Sequence, residues 1–225
     1  MKTFFQRLSD ARCITFFTLL LSSMMLVSCG GSKVQFSGYL HDYSKLKPFE
    51  NGFRWINSNT DFSKYTKIIV EPVTFYVGGS LSEQDVKTNP DNINKITDYF
   101  HTAIVREFSK NFEIVDKAGP DVMRAKVAIT AVQVQAKDLE AYQYIPVMLV
   151  ATGAAEVAGL RDKVAVISME GEVLDSLTGR RLGAVVKSSS KETTIKDVDS
   201  LTAQDIKNIL DHWATVARIN FVKQR

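Results

Sequence analysis

The first thirty residues constrain this 225-residue chain more than any other stretch, because they decide in which solvent the rest must fold. Lys2, Arg7 and Arg12 lead into an apolar run that includes Phe16, Phe17, Leu19, Leu20 and Leu21 and ends in Met24, Met25, Leu26 and Val27. A basic start followed by about 15 mostly apolar residues reads as a secretory leader. It is shorter than the roughly 20 residues that a permanent helical span needs. Residues 1–28 are therefore expected to be a signal peptide.

The run closes on Leu26-Val27-Ser28-Cys29 and continues Gly30-Gly31-Ser32. This resembles a bacterial lipobox. The resemblance implies cleavage between Ser28 and Cys29, a diacylglycerol thioether on Cys29, and a palmitate-type acyl chain on its new amine. Each buried methylene contributes about 0.8 kcal/mol, and two chains already anchor stably, so three would tie the protein to its membrane. Gly30, where Asp commonly signals inner-membrane retention, resembles sorting to the outer membrane, with the domain on its periplasmic face. Residues 29–37 become a lipidated tether, whose free part reaches under about 30 Å at 3.3–3.6 Å per residue.

The leader also carries most of the net charge. The whole chain holds 28 Lys and Arg against 25 Asp and Glu, formally +3. Lys2, Arg7, Arg12 and Asp10 leave with the leader, so the mature chain keeps only +1. A nearly neutral surface creates no field to draw nucleic acid. The membrane is expected as a partner only through the lipid. The two cysteines are Cys13 and Cys29; one is lost and the other capped, which leaves no disulfide framework.

Past the tether, residues 38–66 are rich in aromatic rings without clean periodicity, and read as an irregular arm laid over the body. Residues 67–225 read as a single domain. Lys67–Val77 has strand composition interrupted by Pro72, which lacks a ladder donor. Asn89-Pro90-Asp91 is a helix start, and Ile93, Ile96, Phe100, Ala103, Ile104 and Phe108 share one helical face to near Asn111. A short strand at 112–116 and a long one at 123–136 follow. In the long strand the inward alternation Ala125, Val127, Ile129, Ala131 slips to Val132 and Val134, the mark of a bulge. Val164–Asp175 and Arg181–Ser190 form a hairpin turning at Gly179. Thr202 and Asp205 imitate a capping box before a last helix that buries Trp213. The fold class is α+β: a single mixed, mostly antiparallel sheet with two amphipathic helices packed on one face.

Residues 145–160, Ile145-Pro146 through Gly159-Leu160, are apolar and rich in small side chains. Pro146 and Glu156 make them a poor span. They read as a packed connector, a self-association surface, or a lid dipping into the membrane.

Chemical motifs are sparse. No nucleophile elbow, zinc signature or phosphate loop is present, so neither a cofactor nor a metal is expected, and no catalytic residue is assigned. His41 precedes Asp42 in an extended arm, where neighbours point apart. Asp98 and His101 could touch on a helix, and Asp211-His212-Trp213 could not. Some residue runs together resemble one family: Ser37-Gly38-Tyr39-Leu40-His41-Asp42-Tyr43-Ser44-Lys45-Leu46, Asp61–Lys67, Glu71-Pro72-Val73, Tyr99-Phe100-His101, Glu172–Gly179 and the helix with Trp213. They are similar to the bacterial lipoproteins catalogued as domain of unknown function 3313. The resemblance implies an envelope lipoprotein and assigns no activity. The expected function is a non-catalytic binding or assembly module, with an envelope protein or a second copy as partner. Its expected contact residues are Tyr39, Tyr43, Trp55, Met148, Ala151 and Ala155. The alternatives are an envelope hydrolase using His41, Asp42 or His101, and a lipid or small-molecule carrier.

Overall fold

The computed structural model describes residues 36–76, 78, 89–136, 163–193 and 200–225. Eight strands make one sheet: β1 (Lys47–Pro48), β2 (Gly52–Ile56), β3 (Lys67–Val70), β4 (Thr74–Phe75), β5 (Glu113–Ile114), β6 (Val122–Ala136), β7 (Lys163–Asp175) and β8 (Arg181–Thr193). Their spatial order is β1-β2-β8-β7-β6-β3-β5, and β4 also pairs with β6. β1, β2, β8, β7 and β6 are antiparallel neighbours. β3 runs parallel to both β5 and β6, as a strand–helix–strand crossover requires. The expected mixed, mostly antiparallel α+β sheet is what the chain forms.

Among the described residues two α-helices complete the fold. α1 (Pro90–Phe108) starts where Asn89 accepts a hydrogen bond from the Asp91 amide at 3.0 Å, with Pro90 at its first position. α2 (Ala203–Val222) starts where the Asp205 carboxylate accepts from both the amide and the hydroxyl of Thr202. Ile93, Ile96, Phe100 and Phe108 of α1 and Ile206, Leu210 and Trp213 of α2 close over Ile68, Met123, Ala125, Ile129 and Met169 of the sheet. That face of the sheet is called inner below.

The reading of 38–66 as irregular needs correcting at its centre. Phe53↔Val186, Arg54↔Val185 and Trp55↔Ala184 place β2 squarely in the sheet. Its period was hidden because both faces are covered: Ile56 packs on the helix-side core, Phe53 on a second cluster behind the sheet. A strand buried on both sides loses its polar alternation. Pro72 splits the expected 67–77 strand into β3 and β4, the 112–116 strand shrinks to β5, and α1 stops at Phe108 rather than near Asn111. The bulge exists, one residue earlier than expected: the register shifts between Ile129 and Ala131. Thr130 is the extra residue, so Ala131, opposite Ser168, faces outward, and Val132 resumes the core.

Gly179 takes φ +69° in the β7–β8 turn, and a Cβ there would meet no atom within 4 Å. The cost of a side chain is therefore conformational alone. Gly179→Ala is expected to destabilise by about 1 kcal/mol, read as a lower urea midpoint with an unchanged denaturant slope.

Candidate functional site

The sheet carries a different structure on each face. On the outer face, the segment from Phe36 to Leu46 is strapped down by one buried carboxylate. Glu170 on β7 is fully buried and accepts from the Ser37 amide at 2.6 Å, the Leu40 amide at 3.3 Å and the Tyr43 hydroxyl at 2.6 Å. Arg181 adds a bond to the Asp42 carbonyl at 2.7 Å and holds Glu172 at 2.7 Å. Leu40 seals the contact against Ala184 and Val186. Phe36 stacks on Tyr43 with ring centroids 4.3 Å apart, and Tyr39 meets Tyr76 edge to face at 5.5 Å. Burial, then the hydrogen bond to Glu170, pushes the Tyr43 phenol up to about 12. Burial and the surrounding carboxylates, Glu172 first, do the same to Tyr39.

At the end of the β7–β8 hairpin, Asp175 gathers the Tyr65 hydroxyl at 2.6 Å, the Leu177 and Thr178 amides, and the Thr178 hydroxyl. Lys64 lies 3.5 Å away. Burial alone would raise this carboxyl, but the bonds from Tyr65 and Thr178 outweigh it and hold it well below the usual carboxylate range. The helices are tied by two further acids. Asp211 of α2 accepts from Tyr99 and Arg106 of α1 and pairs with Lys207. Glu107, buried on α1, meets Lys110 and Arg218. These are structural clasps, each carboxylate saturated by donors.

On the inner face, α2 does not lie flush on the β2–β8–β7 side. A partly open cavity of about 100 Å³ remains there. Its sheet wall includes Ile56, Val127, Gly171, Gly183 and Val185, and its helix wall Trp213, Val216, Ala217 and Phe221. The glycines deepen it, since a Cβ on Gly183 would stand 3.5 Å from the Phe221 ring. Phe49, Arg54 and Lys187 also line it. Lys187 is buried and paired with Glu50, which sits at φ +49° in the β1–β2 turn. The Arg54 guanidinium lies 3.5 Å over the Phe49 ring. Among the described residues no carboxylate stands within ion-pair distance of it.

The residues expected to make contacts fall in three places. Tyr39 and Tyr43 are turned onto the chain's own sheet. Trp55 lies on β2 opposite Ala184, with the Lys45 ammonium 5.1 Å from its ring centroid. Ser28, Cys29, Met148, Ala151 and Ala155, with all of 145–160, lie outside the described residues. His101 does not meet Asp98; its Nδ1 is 3.2 Å from the Glu71 carbonyl. Among the described residues no cluster of His, Cys, Asp and Glu could hold a metal ion, and no helix is long and apolar enough to cross a membrane. Sequence reasoning passed over Glu170 and the cavity. A Glu among apolar strand residues was the available sign of the first; Gly171 and Gly183, facing each other's strands, were the sign of the second.

Known proteins add the following. The chain is 26% identical over 214 residues to the uncharacterized lipoprotein YdcL of Escherichia coli K12, covering 91% of this chain and 95% of the relative. Among solved structures it is similar to a minor lipoprotein of Acinetobacter baumannii, with TM-score 0.38, 8% identity, and coverage of 71% of this chain and 95% of that one. It is also similar to the PelC dodecamer of Paraburkholderia phytofirmans, with TM-score 0.35, 11% identity, and coverage of 70% and 96%. The model described as "Protein of unknown function (DUF3313)" matches residues 35–217, from the strapped arm through the helix that carries Trp213, and the chain belongs to that family.

Proposed function

We propose that the protein is an envelope lipoprotein, anchored through Cys29 in the outer membrane, whose domain is a non-catalytic binding module on the periplasmic side. The leader and Leu26-Val27-Ser28-Cys29 support the anchor, as does a relative that is itself described as a lipoprotein. The observation that carries the binding role is the partly open apolar cavity between α2 and the β2–β8–β7 side of the sheet. Well-packed interiors leave few voids larger than a water, and small-molecule sites are concave, mostly apolar and sparsely polar. Saturated carboxylates such as Glu170 and Asp175 have their lone pairs engaged in holding the fold together, which favours binding over acid–base chemistry.

The anchor is tested on the full chain in its host. Cys29→Ala is expected to shift the protein from the membrane to the soluble or unprocessed fraction, and intact mass is expected to show acyl additions on the wild type alone. An unmodified mature N-terminus, or unchanged fractionation, would remove the anchor and with it the placement of the domain.

A further inference from the structure

The geometry points to a specific ligand class for this cavity: an anionic amphiphile with a single alkyl chain, its tail between α2 and the sheet and its head on Arg54. The inference rests on the binding-module reading and narrows it to a chemistry. About 100 Å³ accommodates a few water-sized groups at about 30 Å³ each. That admits about the first three or four carbons of one alkyl chain, the rest leaving through the open side; the two chains of a diacyl lipid cannot lie side by side there. Val127, Val185 and Ala217 offer such a chain only carbon, and Gly171 and Gly183 give it depth.

The mouth sets the sign of the head. Two cations line the cavity, and they are not equivalent. Lys187 is already neutralised by Glu50. Arg54 is stacked on Phe49, which orients the flat guanidinium; Glu50, engaged by Lys187, also senses the Arg54 charge, but from beyond ion-pair distance. A guanidinium fork held this way matches a carboxylate or phosphate with two parallel bonds. A free fatty acid and a single-chain phospholipid share that chemistry.

The test uses the full-length lipidated protein in nanodiscs of diacyl phospholipid. Trp55→Phe leaves Trp213, in the cavity wall, as the sole tryptophan. Bromine on an alkyl chain quenches it only at contact. Dodecanoate and lyso-phosphatidylglycerol, each brominated at carbon 4 of its chain, are titrated in parallel, with 4-bromododecan-1-ol as the uncharged control. Saturable quenching by an anionic probe is expected, at least tenfold tighter than by the alcohol, and the tighter of the two anions identifies the source. Arg54→Ala is expected to weaken the anion about tenfold and leave the alcohol unchanged. Val185→Phe from the sheet side and Ala217→Phe from the helix side fill the same space independently, and either one that retains its melting transition should abolish saturation. Quenching that rises linearly and equally in the wild type and both filled variants is partition into the bilayer, and overturns the proposal. Equal affinity for acid and alcohol overturns the role of Arg54. A negative result here with intact Cys29-dependent anchoring removes the ligand class and leaves the envelope reading standing; loss of anchoring removes the latter alone.

Discussion

Asp175→Ala is expected to cost about 4 kcal/mol at pH 7. The carboxylate is only 8% exposed, and it ends four hydrogen bonds from three residues. Hydrogen bonds to charged groups contribute about 1.5–3 kcal/mol, and a buried donor left unpaired costs about 1–3 kcal/mol. Tyr65 is the donor stranded, because it is fully buried and its hydroxyl points at the carboxylate. At 2–4 °C per kcal/mol for a domain of this size, the melting temperature falls by about 10 °C. The Asp175→Asn variant, which keeps the shape and removes the charge, shows the pH dependence. The folded carboxyl is held below its ordinary value, so its stabilisation is fully present above the unfolded value of about 3.9. It fades as pH falls from there through the folded value, since the unfolded chain then binds the proton more readily. The stability gap between wild type and Asp175→Asn, from urea melts at pH 7, 4 and 2.5, should therefore narrow with acid. A gap of constant size would show that the charge contributes nothing.

The elements most legible in the sequence were those whose signals are local. Asn89-Pro90-Asp91, Thr202 with Asp205, Gly179, and the helical spacing of Ile93 to Phe108 each state their structure within a few residues, and each was found close to where it was expected. The slip in alternation revealed the β6 bulge because register is a period-two property that one extra residue inverts. What was illegible depends on distant partners. β2 gave no period because the arm and the helices cover its two faces, and its pairing with β8 spans about 130 residues of chain. Glu170 has no local partner to announce it, since its donors come from the arm about 130 residues away. The cavity is a mismatch between a helix and a sheet, and no single residue encodes it. Aromatic rings in the arm suggested an external contact, and in the structure Tyr39 and Tyr43 spend much of their surface on the chain's own sheet. Large rings stabilise whichever surface they meet, so composition alone could not choose between an internal and an external partner.

Glu170→Ala should release the arm without unfolding the domain. Three donors converge on this carboxylate, and all three belong to residues 37–43. Removing it leaves the Ser37 amide and the Tyr43 phenol without their acceptor, and the Leu40 amide, in a contact only 2% exposed, keeps just its bond to the Tyr43 oxygen at 3.1 Å. The loss is about 3 kcal/mol, and it is local, because the arm packs on a satellite cluster of Leu40, Ala184 and Val186 separate from the helix-side core. Hydrogen exchange at the Ser37 and Leu40 amides should accelerate about 100-fold, as 1.4 kcal/mol per factor of ten requires, while amides of β6 and β7 stay protected. Glu170→Gln, which keeps one acceptor and the same volume, should give a rise nearer tenfold. Uniform loss of protection across the sheet would instead make Glu170 part of the global core. The strap also has a mechanical consequence if Cys29 is lipidated as proposed. With Ser37 pinned to Glu170, the free tether spans under about 30 Å; with the arm released back to β1 at Lys47, the same chain reaches about 60 Å. One buried carboxylate thus sets how far the cavity and its mouth can stand from the membrane. Cleavage of the full-length protein by protease between residues 38 and 46, slow in the wild type and fast in Glu170→Ala, measures that release directly.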